Sequence, residues 1–292
     1  MPTRDEHRPR DAGHALPDLA EFASDCARCT GLCCTALPYR RSREFAADKP
    51  AGRPCPHLGG DFGCRIHARL RADGWPGCTE FECFGAGPKA VSRVAGQAWG
   101  DPTRPETAAS PQAAAQFETF LALRPLQEAR FHLRTLPRAG LPAELRRHVA
   151  ELDARASELA DSGELTAAAA GALRERVSGV LRDASAHLRG ADIAAASASA
   201  PADHSGRRWR ARDLTDADLR GALLIATDLR RARLTRTDLL GADLRDADVR
   251  GADLSQSLFL TQPQLNAAIG DERTRIPAHL RRPAHWGPGT AA

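Results

Sequence analysis

The sequence is poor in several residue types, and each scarcity excludes a class of protein. Aromatic residues make up 5% of the 292 residues, so a large aromatic core is not expected. No apolar run approaches the roughly 18 residues of a membrane-spanning helix. Residues 1–22 are polar and lack the apolar stretch of a secretory signal. We therefore expect a cytoplasmic protein that does not bind a membrane.

Two common catalytic motifs are also missing. The GAGPK stretch at 85–89 does not match the G-x-x-x-x-G-K-[ST] phosphate loop, and no G-x-S-x-G nucleophile elbow occurs. The net charge of +4 is mild for a chain of this length, so nucleic acid is not an expected partner. We assign no catalytic residue and favour a non-enzymatic protein, although the sequence leaves activity open.

Cysteine is absent after Cys83, whereas eight cysteines lie between Cys26 and that position. In a reducing cytosol such clustering favours metal or redox chemistry over a disulfide framework. A Cys-x-x-Cys pair such as Cys26 and Cys29 can hold one ion, because two thiolates on a tight turn reach the same tetrahedral site. Adjacent cysteines rarely bind one ion together, so Cys33 and Cys34 are expected to face different ways, with one closing the first site and the other joining later cysteines. The predicted metal ligands are Cys26, Cys29, Cys33, Cys34, Cys55, Cys64, Cys78 and Cys83.

The chemistry of these ligands limits the choice of metal. Soft thiolates select zinc, iron or an iron–sulfur cluster. His57 and His67 could replace a thiolate, although a lone histidine is more often structural. The metal could hold together a Gly- and Pro-rich segment that is too poor in apolar residues to fold alone, or it could serve redox chemistry. Both readings stay open, and a disulfide scaffold is the less favoured alternative.

The order of the cysteines resembles the CxxCxxCC family of zinc- or iron-chelating proteins. The matching motifs are CxxC followed by CC at 26–34, C-P-x-L at 55–58, C-x-I at 64–66 and a cysteine before an aromatic residue at 78–81. This chain departs from the family in having three residues between Cys29 and Cys33, His67 in place of an aromatic residue, an extra Cys83, and no Arg-Pro between Cys64 and Cys78. The resemblance covers roughly residues 22–85 and implies a zinc or iron site.

A period of five residues governs the chain from Arg212 to Thr261. Each step has a large apolar residue at its centre and, in all but the first step, a small residue two positions earlier. The central residues are Leu214, Leu219, Leu224, Leu229, Leu234, Leu239, Leu244, Val249, Leu254 and Phe259. Such a run indicates a solenoid. A chain that turns a corner every five residues points one large and one small residue inward, and four corners make a coil of 20 residues.

This pattern closely resembles the pentapeptide-repeat family, A-(D/N)-L-x-x, which implies a right-handed quadrilateral β-helix. The whole order of segments also resembles uncharacterised actinobacterial pentapeptide-repeat proteins. We therefore predict a multidomain chain in which a Cys-rich metal-binding module and α-helices precede a short β-helix. The expected segments are a disordered lead at 1–20, the Cys-rich module at 21–105, a helical region at 106–189, a flexible linker at 190–207 that separates this N-terminal unit from the repeats, the β-helix at 208–261, and a cap and tail at 262–292.

Local signals place the helices. Apolar residues at helical spacing predict two or three helices between residues 110 and 189. Ser110 and Pro111 are typical of an N-cap and a first helical turn, whereas Pro125 predicts a break or the start of a second helix. After the repeats we expect a short helix from Thr261 to near Ile269, within a cap that covers the last coil.

The outer face of the repeats offers candidate interaction residues. Leu240 and Leu260 are 20 residues apart, so they are expected to stack on one outer face. They would be docking sites for the rest of the chain or a patch for a partner, and docking is favoured. Arg230, Arg231 and Arg250 could meet an acidic protein partner, but a solvated face neutralised by neighbouring aspartates is favoured.

Three hypotheses for function follow. The first is a non-enzymatic interaction scaffold with a cysteine-ligated zinc or iron site and an unidentified protein partner. The second is an iron–sulfur or thiol redox protein. The third is a protein directed at DNA gyrase, as some pentapeptide-repeat proteins are. It is disfavoured because residues 207–253 hold eleven arginines and nine aspartates, which does not mimic the acidic phosphates of DNA.

Overall fold

The computed structural model describes residues 18–94, 96–191 and 202–287. A Cys-rich segment of short helices comes first, then three long helices, a coil of repeats and a C-terminal cap. Most of the expected disordered lead, residues 192–201 of the linker expected at 190–207, and the residues from 288 onward lie outside the described residues. The expectations for those segments are therefore not addressed.

The Cys-rich segment consists of short elements joined by turns. Its α-helices are α1 Leu32–Ala36, α2 Pro76–Thr79 and α3 Ala86–Ser92. Its 3₁₀ turns are Ala20–Phe22, Cys26–Arg28, His67–Arg69 and Pro105–Ala109. Two antiparallel bridges, between Tyr39 and Lys49 and between Leu58 and Cys64, tie the loops together. Frequent glycine and proline keep these elements short.

Three long helices follow: α4 Pro111–Thr135, α5 Ala143–Asp161 and α6 Ala167–Arg189. The Ser110 side chain accepts a hydrogen bond from the Ala113 amide at 3.1 Å, so the expected N-cap is present. Helix α4 packs against both α5 and α6 through a buried apolar core. The helical prediction for this region is confirmed.

The expected break at Pro125 is wrong, because α4 continues through this residue. Proline removes one hydrogen bond, the one to the carbonyl of Leu121. Leu121 lies on the exposed side of the helix, where water can hydrate the freed carbonyl. Leu123 and Leu126, on the opposite side, are fully buried and hold the helix in place.

The repeats form a coil with four sides, which we call the solenoid. Parallel bridges join residues 20 positions apart on all four sides, as in Asp203 with Leu223, Arg208 with Asp228, Asp213 with Arg233 and Asp218 with Asp238. On each side the coils are joined by isolated β-bridges between single residues, and the described part of the chain contains no β-strand. The repeat prediction is thus met by coils of 20 residues, whereas a right-handed β-helix built of strands stays a prediction.

The first coil begins earlier than the sequence pattern indicated. Its first bridge is at Asp203, before the expected boundary at 208. Trp209 occupies the central inward position of this coil and is buried, with its ring 4.6 Å from that of His204. Tryptophan and histidine replace the central leucine in this coil, so the leucine pattern of the sequence does not extend to it.

A left-handed backbone residue marks the corners of the solenoid. Positive φ angles recur at intervals of five, including Asp216 (63°), Gly221 (62°), Ala226 (53°) and Arg231 (58°). This conformation is strained for residues other than glycine. The packing of the central leucines inside each coil holds these corners, since Leu224, Leu229 and the leucines that follow are fully buried.

The cap closes the last coil. Helix α7 Gln262–Ala267 begins at Thr261, whose amide donates to the Gln264 side chain at 2.8 Å. Ile269 then bridges to Asp248, which continues the ladder of the solenoid. The Trp286 ring lies over Gly270, where a Cβ would stand 2.4 Å from it, and its Nε1 donates to the Ala268 carbonyl at 3.0 Å. Trp286 therefore anchors the cap.

The solenoid packs against the preceding parts of the described chain. Leu258 and Phe259 belong to the same core as the three long helices. Arg189 of α6 donates to Asp218 at 3.0 Å. On the other side, Arg245 pairs with Glu44 at 2.8 Å and Asn266 donates to the Thr79 carbonyl at 2.6 Å. The solenoid thus contacts both the helices and the Cys-rich segment.

Candidate metal centre

A single cavity of about 570 Å³ collects the sequence-predicted ligands. All eight cysteines line it and all are free thiols. Its apolar walls include Tyr39, Phe45, Trp75, Phe81 and Phe120. Cys26 and Cys78 are exposed, whereas Cys83 is buried, so the thiols extend from the mouth of the cavity to its floor.

Short elements bring the first cysteines towards Cys83. Cys26 lies in the 3₁₀ turn Cys26–Arg28, which packs against α3. Ser24, just before that turn, contacts the Cys83 sulfur at 3.0 Å and accepts the Cys83 amide at 3.2 Å. A Cβ at Gly87 would stand 2.8 Å from the Cys29 sulfur and 3.8 Å from that of Cys83. Cys29 and Cys83 are therefore neighbours across Gly87.

Backbone contacts collect a further group of cysteines. The Cys55 amide donates to the Cys34 carbonyl at 3.0 Å. The bridge between Leu58 and Cys64, with the Arg65 amide donating to the His57 carbonyl at 2.9 Å, folds the 55–65 segment back on itself. Cys34, Cys55 and Cys64 are thus held by one loop assembly.

Cys78 joins this assembly through aromatic contacts. Cys78 lies in α2, the helix that begins directly after Trp75. The Trp75 ring packs edge-on against Tyr39 at 5.3 Å and against His57 at 5.1 Å. Ile66, Leu70 and Trp75 form a small core against which Cys64 also packs. The tryptophan therefore links α2 to the loop that carries Cys55 and Cys64.

Backbone amides point at several of the sulfurs. The His57 amide contacts the Cys55 sulfur at 3.5 Å. The amides of Gly31 and Leu32 lower the pKa of Cys29, and the Ile66 amide lowers that of Cys64, although burial outweighs both effects. In each case the donor lies two or three residues after the cysteine. Such donors stabilise a thiolate, which is the form that binds metal.

Burial raises the pKa of four of these thiols, Cys26, Cys29, Cys64 and Cys78. It raises the pKa of Cys29 to about 11 and that of Cys78 to about 12. The hydrogen bond between the adjacent sulfurs of Cys33 and Cys34, 3.9 Å apart, raises the pKa of Cys33 and lowers that of Cys34. Cys34 is therefore the thiol of this pair that loses its proton first.

Lys49 supplies a positive charge beside the thiols. Its ammonium group is buried and donates to the carbonyls of Thr35 at 2.9 Å, Pro50 at 3.2 Å and Arg53 at 2.8 Å. It also lowers the pKa of Cys34, after the larger effect of Cys33. Lys49 therefore braces the loop and offsets part of the charge that deprotonated thiols would carry.

The two candidate histidines also line the cavity. The His57 ring packs on Trp75, and His67 opens the 3₁₀ turn His67–Arg69. Tyr39 contributes a buried hydroxyl that lies beside the Cys55 sulfur. Burial, and then the Cys55 sulfur, raise the pKa of Tyr39, so its hydroxyl stays protonated.

The donor chemistry fits a soft metal, because eight thiols share a cavity and amides point at three of their sulfurs. The spacing does not close a site. Within residues 18–94, 96–191 and 202–287, no group of three or more His, Cys, Asp or Glu side chains is positioned to hold a metal ion. A metal would therefore require the sulfurs to move closer together than they stand here.

Four of the five candidate surface residues of the solenoid contact other residues of the chain. Leu260 is buried beneath the cap, and Leu240 packs against the core of the long helices. Arg230 pairs with Asp228 at 2.7 Å, and Arg250 pairs in the same way with Asp248 at 2.6 Å. Arg231 is exposed.

Sequence reasoning missed three residues around the thiols: Ser24, Lys49 and Gly87. Ser24 reaches Cys83, and Gly87 reaches Cys29, only because the 3₁₀ turn packs on α3. Lys49 carried a weak signal, since it is one of only two lysines in the chain. Nothing in the sequence pattern around Gly87 indicates that two sulfurs flank it.

Comparisons with known proteins bear on both halves of the chain. Eight copies of the family model described as pentapeptide repeats match residues 213–251. The uncharacterized protein YybG from Bacillus subtilis (strain 168) is 39% identical over an alignment of 292 positions. The alignment covers 91% of this chain and 95% of that protein.

A similar solved structure is the 1.7 Å crystal structure of a pentapeptide repeat protein from the Arabidopsis thaliana thylakoid lumen. It is 28% identical, with a TM-score of 0.15, and the match covers 28% of this chain and 55% of the solved one. Separately, no helix in the described part of this chain is long and apolar enough to cross a membrane.

Proposed function

The chain belongs to the same family as the uncharacterized protein YybG of Bacillus subtilis (strain 168) and carries pentapeptide repeats at residues 213–251, and we propose that it is a non-enzymatic metal-binding protein of the cytoplasm. In this proposal the thiol-lined cavity takes zinc or iron. The solenoid, a right-handed quadrilateral β-helix, is the rigid platform on which the Cys-rich segment rests.

One observation supports the metal more than any other: all eight cysteines of the chain line the same cavity. They come from five separate stretches of sequence between Cys26 and Cys83. The amides aimed at Cys29, Cys55 and Cys64 add to this support, because such donors favour thiolates. When bound, the metal would supply cross-links between loops that have little regular structure.

The contacts around the cavity favour a structural role for this metal. The Cys-rich segment has only short helices and two isolated bridges of its own. A closed thiolate site stabilises such a segment directly. The alternative is an iron–sulfur or thiol redox protein, and the observation that favours it is the exposure of Cys26 and Cys78 at the mouth of the cavity.

The platform role of the solenoid leaves only part of its surface for a partner protein. Leu240 and Leu260 are covered by the chain itself, and Arg230 and Arg250 are paired with aspartates. The exposed Arg231 and Leu223 belong to the remaining surface. This pairing of charges also argues against a mimic of DNA that acts on gyrase, since few carboxylates are left without a neighbouring arginine.

The experiment that tests the proposal is purification under anaerobic conditions, followed by metal analysis and an absorption spectrum. Bound zinc with no visible absorption supports a structural thiolate site. A brown protein that contains iron and sulfide supports the redox alternative. A folded protein without zinc or iron refutes the metal-binding proposal.

A further inference from the structure

We infer that the eight cysteines form two separate four-thiolate sites, each of which takes one soft divalent ion. The first set is Cys26, Cys29, Cys33 and Cys83, and the second set is Cys34, Cys55, Cys64 and Cys78. This inference rests on the proposed metal binding and extends it from a cavity to a stoichiometry of two. Four thiolates complete the tetrahedral shell of one zinc ion, so eight thiols exceed what one ion can use.

The first set is held together by α3 and the turn that packs on it. Ser24 fixes Cys83 beside the Cys26 segment through contacts of 3.0 Å and 3.2 Å. Gly87 lies between the sulfurs of Cys29 and Cys83, and its missing side chain leaves room for both. These contacts involve no residue of the 55–78 region.

The second set is held by the loop at 55–65 and by α2. The Cys55 amide bonds the Cys34 carbonyl, and the bridge between Leu58 and Cys64 brings Cys64 back towards Cys55. Trp75 carries Cys78 to the same loop through its contact with His57. Lys49 braces this set from the side of Thr35.

Cys33 and Cys34 stand at the boundary between the sets. They are consecutive residues of α1, so their side chains leave the helix about 100° apart. Their sulfurs are 3.9 Å apart, close enough for the two sites to be neighbours.

The test uses the full-length reduced protein, titrated anaerobically with Zn²⁺ against a chromogenic chelator and with Co²⁺ followed by absorption. We expect about two equivalents in the wild type. The double variant Cys29→Ser/Cys83→Ser and the double variant Cys64→Ser/Cys78→Ser should each keep about one, with Co²⁺ absorption typical of a tetrahedral thiolate site. Circular dichroism of α4–α6 verifies that each variant is folded.

A second measurement needs no variant. The wild type is loaded with one equivalent of Zn²⁺, alkylated, and mapped by mass spectrometry. The inference is supported if the four cysteines of one set are protected from alkylation together, independently of the four cysteines of the other set. Joint protection of cysteines from both sets, or a total of one equivalent that either double variant abolishes, would overturn it while leaving metal binding intact. Binding of no metal at all would refute the proposed function itself.

Discussion

Gly87 is the residue on which the spacing of Cys29 and Cys83 depends most. An alanine there would place a methyl group 2.8 Å from the Cys29 sulfur, so the sulfur must shift. We expect Gly87→Ala to weaken Zn²⁺ binding at the first set by about tenfold or more, as disturbances next to metal ligands do. Competition with a chelator measures this change. Gly171→Ala on α6, where a Cβ meets nothing within 4 Å, is the matched control. An unchanged affinity in Gly87→Ala would contradict the assignment of these two thiols.

His132 predicts how stability depends on pH. Burial, and then the neighbouring His279, lower its pKa to about 4 in the folded protein. In the unfolded chain the pKa of this histidine is near 6.5, so the unfolded state takes up the proton at a higher pH than the folded state does. The free energy of unfolding therefore falls as the pH drops from about 6.5 to about 4, by about 3 kcal/mol in total. Above pH 6.5 the group has no such effect.

The variant His132→Gln removes this proton uptake. Between pH 7 and pH 5, denaturant unfolding should show a loss of stability about 2 kcal/mol smaller in the variant than in the wild type. The exposed His148→Gln on α5 serves as the control and should follow the wild type. Equal pH dependence in all three proteins would contradict the burial of a neutral His132.

For individual residues, the sequence identified the thiols but not the residues that contact them. Clustering of cysteines singled out all eight residues that line the cavity. The roles of Ser24 and Gly87 depend on contacts with residues about 60 positions away, which no local pattern encodes. Sterics also predict that Cys33 and Cys34 face different ways, but the residues that surround each of them depend on the packing of α1, α2 and α3.

The central leucines decide the stability of the solenoid as an element. Leu234 is fully buried inside the coil, whereas Leu223 points outward and is 40% exposed. We expect Leu234→Ala to lower the free energy of unfolding by roughly 3 kcal/mol, because it removes buried methyl groups and leaves a cavity. Leu223→Ala should change it by less than about 0.5 kcal/mol. Chemical denaturation of both variants measures the difference, and similar losses would contradict the inward and outward assignment.

The period of five predicted the coils from Leu214 onward because each coil repeats one simple requirement, a large apolar residue inside. It failed at Trp209 and His204, where the first coil fills the same position with rings. The left-handed backbone at the corners was not predicted, since the residue there is more often alanine, aspartate or arginine than glycine. At Pro125 the local rule for proline was overridden by the burial of Leu123 and Leu126.

The solenoid cap, the Cys-rich segment and the long helices are joined by side-chain contacts, and Asn266 makes one of these contacts between the cap and α2. Its side chain donates to the Thr79 carbonyl, and its own carbonyl accepts from Arg71. We expect Asn266→Ala to speed hydrogen exchange at residues 76–82, because α2 loses its bond to the cap, and to leave α5 unchanged. The exposed cap residue Glu272→Ala is the control. Unaltered exchange at 76–82 would show that the solenoid does not support α2.

The same contacts explain why the arrangement of the parts could not be read from the sequence. Arg245 with Glu44 and Asn266 with Thr79 join residues about 200 positions apart, and each residue alone looks like an ordinary surface side chain. The linker composition suggested independence. The shared core of Phe259 with the long helices shows that the solenoid packs against them.

Metal binding in the thiol-lined cavity is tested most directly by the mass of the intact chain under native, anaerobic conditions. We expect a mass increased by two bound zinc or iron ions, which acid removes, while the metal-free chain retains eight thiols that react with a thiol reagent. A folded chain at its bare mass, with eight reactive thiols before any acid treatment, would contradict it.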